Sequence, residues 1–210
     1  MVFKIQDFRS RGLALGGARP SLFQVVIQLP TSIPNIGDKI SLTCSASEIP
    51  ASTVASVDVP YFGRKIKLAG DRTFTDWRVT ILNDEDFLVR DAFEAWSNGI
   101  NSLRGNLKSL NDASAPGAGT SSVPGTPYAA EAYVYQYGRA GNVIRSYNFV
   151  NIFPTEISTM SVDWNATNTI QDFNVTFAYD YWIPYYGSYN VDNGGAVSGT
   201  QQIGAAGNPQ

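Results

Sequence analysis

Residues 76–100 read DWRVTILNDEDFLVRDAFEAWSNGI, and their hydrophobic period changes partway along. Trp77, Val79 and Ile81 alternate with polar residues, and this period of two is typical of a strand with one buried face. From residue 89 onward, apolar residues recur at steps of three and four, which predicts an amphipathic helix. The apolar stripe comprises Val89, Ala92, Phe93, Trp96 and Ile100. The stretch therefore predicts a strand followed by a helix.

The ends of this helix carry recognisable signals. Asn83 is a favourable N-cap, and Asp84, Glu85 and Asp86 fill the first turn, where the helix dipole favours negative charge. Gly99 stands where a helix commonly stops. A metal site is the alternative interpretation of the acidic run, but calcium loops need wider ligand spacing around a central glycine. Capping is therefore the preferred interpretation.

Similar alternation predicts strands on both sides of this stretch. Phe23, Val25 and Ile27 alternate with other residues in a strand over 22–29. Residues 50–60 are a loop or an edge hairpin because prolines bound them, and a turn is expected at Gly70 and Asp71. Further strands are predicted over 40–48, 64–69, 73–82, 130–137, 143–153, 157–164 and 171–182. About eight strands and one helix predict a mainly β fold, an antiparallel β-sandwich with one flanking helix.

Composition agrees with a β protein. Hydrophobic residues make up 43% of the 210 residues and charged residues only 16%, which argues against a coiled coil and against a charge-driven disordered chain. The 19 glycines, 11 prolines and 12% aromatic residues fit a turn-rich β fold. Cys44 is the single cysteine. We therefore expect no intrachain disulfide, a reducing compartment, and a structural role for this thiol.

The common catalytic constellations are missing. The chain has no histidine, which removes the usual base for a serine or cysteine nucleophile and the commonest metal ligand. It also lacks a nucleophile elbow and a phosphate-binding loop. An acid–base pair such as Asp163 and Asp180 stays open, because folding brings together carboxylates distant in sequence. We expect a protein that is not an enzyme and holds no cofactor or metal.

Charge is distributed unevenly along the chain. The net charge is −3, so the chain lacks the basic excess typical of proteins that grip phosphates. Residues 1–145 hold all 15 Lys and Arg, whereas residues 146–210 hold acids and no base. These acids are Glu156, Asp163, Asp172, Asp180 and Asp192. A chain whose bases lie in residues 1–145 and whose C-terminal part is purely acidic suits head-to-tail association. The alternative is that solvated charges are scattered by chance.

The sequence divides into an N-terminal arm over 1–20, a β domain over 21–186 with a flexible insertion at about 105–127, and a Gly/Asn/Ser-rich tail over 187–210. Residues 1–9 lack an apolar core of signal-peptide length. No stretch approaches the roughly 20 apolar residues that a membrane-spanning helix needs. We therefore expect no export and no membrane anchor.

Two adjacent runs are unusual for a generic β domain. Residues 63–77, GRKIKLAGDRTFTDW, carry four bases within nine residues, and residues 79–87 read VTILNDEDF. Together they resemble the major tail tube protein family of contractile-tailed bacteriophages. Other runs that resemble the family in the same order are 18–25, 44–51, 153–155, 163–164, 170–176 and 179–182. The resemblance covers about residues 18–104 and 128–183, whereas the insertion and the tail depart from it.

The resemblance implies an assembly. Subunits of this family have two packed antiparallel sheets, a flanking helix and a long loop, and six of them form a ring with a continuous inner β-barrel. Stacked rings form the tail tube, which conducts DNA during ejection and is the needle driven by sheath contraction. The implied partners are the sheath protein, the baseplate tube initiator, the tape measure protein and the tail terminator. The resemblance further implies that DNA passes through the lumen without tight binding, and that the protein belongs to the virion tail and is assembled in the host cytoplasm.

Opposite charges across an interface fix register and suppress wrong pairings. The candidate interface residues are Arg64, Lys65, Lys67, Arg72, Asp163 and Asp180. A solvated hairpin with intrachain pairs is the alternative for the bases. For the whole protein, one alternative is a tube subunit of another contractile injection or secretion system, or a baseplate ring that starts the tube. The other is a carbohydrate-binding β-sandwich that uses Tyr133 and Tyr135.

Overall fold

The longest strand, β7 (Val143–Ile157), belongs to two sheets. Its first part pairs antiparallel with β6 (Ala130–Tyr137) and β9 (Tyr181–Tyr189), and its last part pairs with β8 (Asp172–Ala178). Asn151, with a φ of 63°, lies where β7 passes from one sheet to the other. Asparagine tolerates this left-handed conformation better than most residues.

The computed structural model describes residues 5, 8–12, 17–30, 33–34, 36–105, 128–189 and 201–202. A π-helical turn spans Phe8–Gly12. The helices are α1 (Gly37–Thr43) and α2 (Leu88–Ile100). The remaining described strands are β1 (Phe23–Gln28), β2 (Cys44–Ser47), β3 (Ser52–Tyr61), β4 (Arg64–Phe74), β5 (Trp77–Leu82) and β10 (Gln201–Gln202).

Three strand groups result from this pairing. Sheet A contains β1, β6, β7, β9 and β10, and sheet B contains β2, β5, β8 and the end of β7. Strands β3 and β4 pair only with each other among the described strands and form a separate hairpin. Every described strand pair is antiparallel. The prediction of a mainly β antiparallel fold is confirmed.

The core lies between the two sheets and α2. Trp77 of β5 stacks on Phe149 of β7, with ring centroids 4.5 Å apart. Phe177 of β8 lies 6.1 Å from Trp96 of α2, which joins sheet B to the helix. The Trp96 indole N–H also donates a 2.8 Å hydrogen bond to the Tyr128 carbonyl, so the polar end of this buried ring is satisfied. The predicted stripe of α2 is buried from Val89 to Trp96.

The strand predicted over 40–48 is wrong in its first half. Residues 37–43 form helix α1, and β2 starts only at Cys44. Ile36 and Ile40, four residues apart, both face the core, while Leu42 is exposed. This spacing fits a helical turn as well as a strand, and the hydrogen bond from the Thr43 hydroxyl to the Lys39 carbonyl supports the helix. The domain therefore has two described α-helices instead of one.

The turn predicted at Gly70 and Asp71 is also wrong. Strand β4 continues through both residues, and the chain reverses at Phe62 and Gly63. The register of the hairpin shifts between Val54 and Ser56, which marks a β-bulge. A Cβ on Gly70 would lie 3.2 Å from the Ala55 carbonyl oxygen. Glycine there accommodates the bulge rather than a turn.

Helix α2 begins later than predicted. Phe87 is its N-cap in a left-handed conformation, and residues 84–86 precede the helix. Asn83 uses its side-chain amide to donate to the Gln171 side chain, 3.2 Å away, instead of capping. Two of the three acids expected in the first turn, Asp84 and Asp86, bind Lys39 of α1. Asp86 also accepts a 3.2 Å hydrogen bond from the backbone N–H of Leu88, the first residue of the helix.

Two other strand boundaries differ from the prediction. No strand covers 158–164, because β7 runs without interruption to Ile157 and residues 158–171 form a loop before β8. The strand predicted over 171–182 is split between β8 and β9. Most of the predicted insertion, together with the tail beyond residue 189 apart from β10, lies outside the described residues. The proposed domain boundaries stay predictions.

Candidate subunit interfaces

The β3–β4 hairpin is amphipathic but uncovered. Val57 pairs with Leu68 and Val59 with Ile66, so these side chains share one face of the ribbon, together with Tyr61. Asp58, Lys65 and Lys67 lie on the opposite face. The five apolar residues are 38% to 60% exposed. An apolar surface of this kind on a soluble protein marks an interaction site.

The hairpin ends in a two-residue turn. Phe62 has a φ of 43° and Gly63 a φ of 78°, as type I′ hairpin turns require. Phe62 is 91% exposed, and its ring lies edge-on to Tyr61 with centroids 4.6 Å apart. At the other end, Phe74 lies 6.0 Å from the ring of Tyr179 and anchors the hairpin to the rest of the subunit.

All four predicted basic interface residues lie on β4 and are exposed. The Lys65 ammonium is 3.7 Å from the Asp58 carboxylate, an exposed pair of little energetic weight. Within the part of the chain that the structure describes, Arg64, Lys67 and Arg72 make no ion pair. Of the four bases, Lys65 is thus the one with an intrachain ion pair among the described residues.

Asp180 lies between β8 and β9 and takes part in the fold. Its carboxylate accepts a 2.8 Å hydrogen bond from the Asn151 side-chain amide, and its backbone N–H donates to the Val150 carbonyl at 3.1 Å. These bonds support the passage of β7 from sheet A to sheet B. Asp180 is on the same end of sheet B as the hairpin base, where the Tyr179 hydroxyl donates to the Thr75 carbonyl.

Asp163 lies in the loop formed by residues 158–171, which we call the Trp164 loop. One carboxylate oxygen of Asp163 accepts a 2.9 Å hydrogen bond from the Asn165 backbone N–H, as in an Asx turn. Trp164 is fully exposed, and so are most of Val162 and Ile170. These residues line an open concavity of about 520 Å³.

The two predicted acids are at opposite ends of sheet B. Strand β5 starts at Trp77, just after the hairpin, and ends at Leu82, which pairs with Asp172 at the end of the Trp164 loop. The subunit therefore does not bring Asp163 and Asp180 together, so these two carboxylates form no acid–base pair within one subunit. Sequence reasoning had placed Trp164 in a strand and so missed its exposure.

Sequence reasoning also missed Lys39, which forms ion pairs with two residues of the acidic run. Its ammonium lies 2.9 Å from the Asp84 carboxylate and also contacts Asp86. The hydrogen bond to Asp86, followed by that to Asp84, raises the pKa of Lys39. Conversely, the hydrogen bond from Lys39 lowers the pKa of Asp84. Among the described residues no cluster of three or more metal-ligating side chains occurs.

Cys44 shows no sign of nucleophile activation. Burial raises the pKa of its thiol to about 11, so the thiol is protonated at neutral pH. Its sulfur contacts the Ala46 carbonyl oxygen at 3.6 Å. The structure fits the structural role expected for this residue.

The face of sheet A that points away from the core is polar but poor in charge. Its aromatic pair, Tyr133 and Tyr135, stacks with centroids 6.1 Å apart, and the Tyr133 hydroxyl donates to Glu131 at 2.8 Å. Burial raises the pKa of Tyr133. Among the described strands, β1 pairs only with β6 and β10 only with β9, so no described strand occupies the outer edge of either. Helix α1 lies beside β1, where the Gln24 side-chain amide donates a 2.9 Å hydrogen bond to the Ser41 hydroxyl.

A family of known proteins has this sequence pattern. The sequence model of the family described as phage tail tube protein matches residues 18–185. The chain belongs to the phage tail tube protein family. Tail tube protein gp19 of Enterobacteria phage T4 is 36% identical over 168 residues, which cover 79% of this chain and 90% of that protein. The expectation of a tail tube protein from a contractile-tailed phage is thereby confirmed, as are its structural, non-enzymatic class and its place in the virion.

Solved structures share the fold at low sequence identity. The tube-terminating cap of the anti-feeding prophage superimposes with a TM-score of 0.56 at 15% identity, covering 81% of this chain and 92% of that chain. A chain of the sheath–tube complex of an extracellular contractile injection system superimposes with a TM-score of 0.53 at 13% identity, covering 89% and 100%. Within the described ranges, no helix has the length and apolar character that crossing a membrane requires.

Proposed function

We propose that this tail tube protein forms hexameric rings in which neighbouring subunits join sheet A edge to edge. The outer edges of β1 and of the β9–β10 pair, which no described strand occupies, carry this proposal. Unpaired strand edges invite pairing with other chains, and closing a sheet into a barrel removes them. A heterologous contact that repeats by a fixed rotation closes into a ring. The number six comes from the family resemblance.

The proposed lumen wall is the face of sheet A that points away from the core. In the described strands this face carries Gln24, Gln28, Asn148 and the tyrosines, with Glu131 as its charged residue on β1 and β6. A wall without bases does not hold phosphates, so DNA slides past it. This composition supports a conduit that conducts DNA during ejection without binding it tightly.

The proposed tube is built by stacking rings, and it serves as the needle that a contracting sheath drives forward. The exposed apolar face of the hairpin supports an intersubunit contact in the stack. The bases Arg64, Lys65, Lys67 and Arg72 are the proposed charged contacts. Asp163 is the favoured acidic partner, because it lies at the end of sheet B opposite the hairpin, as a head-to-tail contact between stacked rings requires.

The proposed partners are the sheath protein, the baseplate tube initiator, the tape measure protein and the tail terminator. Structures of a sheath–tube complex and of a tube-terminating cap share the fold, which supports sheath and terminator contacts. The proposed conduit also predicts DNA in purified particles, since a phage tail conducts a genome.

The test of this proposal is electron microscopy of the purified chain, with and without an assembled baseplate. We expect sixfold rings and stacked tubes, with free subunits until nucleation. A different rotational symmetry would contradict the hexamer. A protein that remains monomeric with the baseplate present but binds oligosaccharides would instead support the carbohydrate-binding alternative.

A further inference from the structure

The subunit carries two uncovered aromatic surfaces, the hairpin tip with Tyr61 and Phe62 and the Trp164 loop. We propose that the hairpin tip of one subunit docks into the concavity of the Trp164 loop of a subunit in the adjacent ring. The occupant is thus a second copy of this chain. The inference rests on the proposed function, because it requires stacked rings.

The turn at the hairpin tip places Phe62 in a backbone conformation that phenylalanine disfavours. Asn-Gly is the favoured pair for a turn in which both residues have positive φ, yet this chain has Phe62 before Gly63. A bulky residue in the left-handed region is a true outlier, and such outliers gather at functional sites. Phe62 is also too exposed to stabilise the subunit. Its position is explained if its ring is buried by another copy.

The Trp164 loop has the features of an acceptor. Tryptophan and tyrosine are the residue types that most often dominate protein interfaces, and Trp164 is fully exposed in the isolated subunit. Val162 and Ile170 add apolar walls to the concavity of about 520 Å³. That volume is within the roughly 300–1,000 Å³ typical of sites that bury small ligands. The site is therefore suited to aromatic side chains of a hairpin tip.

Charge supports the same pairing. Arg64 and Lys65 follow the tip directly, and Lys65 is held only by the 3.7 Å contact with Asp58. The concavity is lined by Asp163 and Asp172, and no base is among its lining residues. Opposite charges around an aromatic contact would fix its register and speed its formation.

The direction of the two surfaces fits open stacking. Strand β5 spans six residues, or roughly 20 Å, between the hairpin base and the end where Leu82 pairs with Asp172. The donor surface thus projects from one end of sheet B, and the acceptor lies at the other. Two different surfaces at opposite ends give a head-to-tail contact, which propagates along an axis instead of closing into a dimer.

A cysteine cross-link tests this contact directly. The variant carries Lys65→Cys and Asp163→Cys, which border the contact and leave Phe62 and Trp164 in place, in a Cys44→Ala background. Its tubes are grown at high salt, treated with an oxidant and resolved without reductant. Because every subunit supplies one donor and one acceptor, we expect a ladder of disulfide-linked species longer than six subunits. In the control, Leu103→Cys replaces Asp163→Cys. Leu103 is exposed but lies outside both surfaces, and no ladder is expected.

The possible outcomes distinguish a failure of the docking proposal from a failure of the proposed tube. Tubes that form without any linked species would contradict the docking and leave the proposed function intact. A ladder that stops at the ring size would place the contact within one ring and contradict the inference. If the wild-type chain forms neither rings nor tubes even on a baseplate, the proposed function and the docking both fail.

Single substitutions give an independent measurement. Trp164→Ala and Phe62→Asn should each raise the protein concentration needed for tube growth by roughly thirtyfold, the loss expected for a central interface residue. The asparagine retains a residue suited to the left-handed turn, so the hairpin is preserved. Leu103→Ala is the matched control and should leave the concentration unchanged. Equal growth of all three variants would overturn the proposal.

Discussion

Helix α2 and the β3–β4 hairpin are both amphipathic, but only the apolar face of α2 is buried within the subunit. The four stripe residues Val89, Ala92, Phe93 and Trp96 of α2 are at most 4% exposed, whereas the five apolar residues of the hairpin face are 38% to 60% exposed. Burial of the helix face stabilises the subunit itself. The hairpin face contributes no such stabilisation until another chain covers it. An amphipathic pattern thus predicts that a face will be covered, but not whether the cover is the same chain or another.

The first prediction truncates the covered face of α2. Trp96→Ala should lower the free energy of unfolding by roughly 3–5 kcal/mol, because it removes a buried ring and leaves a cavity against Phe177. It also removes the hydrogen bond to the Tyr128 carbonyl. Denaturant unfolding measures the change. The matched control is Trp164→Ala, which should shift it by less than about 0.5 kcal/mol because that ring is exposed.

The second prediction makes the converse change on the hairpin. Ile66→Ser should leave the unfolding free energy within about 0.5 kcal/mol of wild type but weaken tube assembly by about 2 kcal/mol per contact. Assembly is measured by the critical protein concentration for sedimentable tubes. Leu103→Ser, at an exposed apolar residue outside the hairpin, is the control and should change neither quantity. If Ile66→Ser destabilises the isolated subunit instead, the hairpin face is covered within the subunit and the comparison fails.

A third prediction compares charges near the tip and near the base of the hairpin. Lys65 is next to the tip, whereas Arg72 pairs with Val54 near the base. Lys65→Glu should slow tube growth roughly tenfold at low ionic strength and less at high salt, because rim charges mainly steer association. Arg72→Glu should change the rate less. Adding Asp163→Lys to Lys65→Glu should restore the rate, and failure of this rescue would argue against Asp163 as the partner.

Local periodicity was sufficient for the regular part of the fold. Strands β1 and β6 and the stripe of α2 were predicted because each buries one face and makes its period visible. Helix α1 was missed because Ile36 and Ile40 fit a helix turn while the residues around them also alternate. A pattern of a few residues does not distinguish the two periods.

The interface surfaces were only partly predictable. The basic run on β4 was evident in the sequence, but a continuous β4 was not, since Gly70 and Asp71 normally favour a turn. Their role became clear only with the bulge at Ala55 on the partner strand. The exposure of Trp164 depends on where β7 ends, which is set by pairing with β8 at distant residues. Tertiary pairing, absent from local sequence, decided both cases.

A fourth prediction concerns strain at the hairpin tip. Phe62→Asn should increase the unfolding free energy of the isolated subunit by roughly 0.5–1 kcal/mol, because asparagine adopts a positive φ with less strain than phenylalanine. Denaturant unfolding of the monomeric wild type and of the variant measures this gain. Phe62→Ala, which removes the ring but keeps the strain, is the control and should show no gain. A loss of stability in Phe62→Asn would show that the ring of Phe62 is packed within the subunit.

The smallest expected effect concerns the ion pair in front of α2, where Lys39 binds Asp84. Hydrogen bonding to Lys39 lowers the pKa of Asp84 in the folded state, so the pair stabilises the fold above the unfolded pKa of about 3.9 and is lost as pH falls through the folded value. The pKa of Lys39 is raised, so its contribution is present below the unfolded value and is lost as pH rises through the folded one.

The test follows the urea concentration at the unfolding midpoint as pH is lowered from 7 to 3. This midpoint should fall more for wild type than for Lys39→Met. Glu85→Gln, which changes an adjacent exposed carboxylate, should follow the wild-type curve. Because the pair is exposed, salt should flatten the difference, and a difference that persists at high salt would mean that Lys39 acts through packing instead of charge.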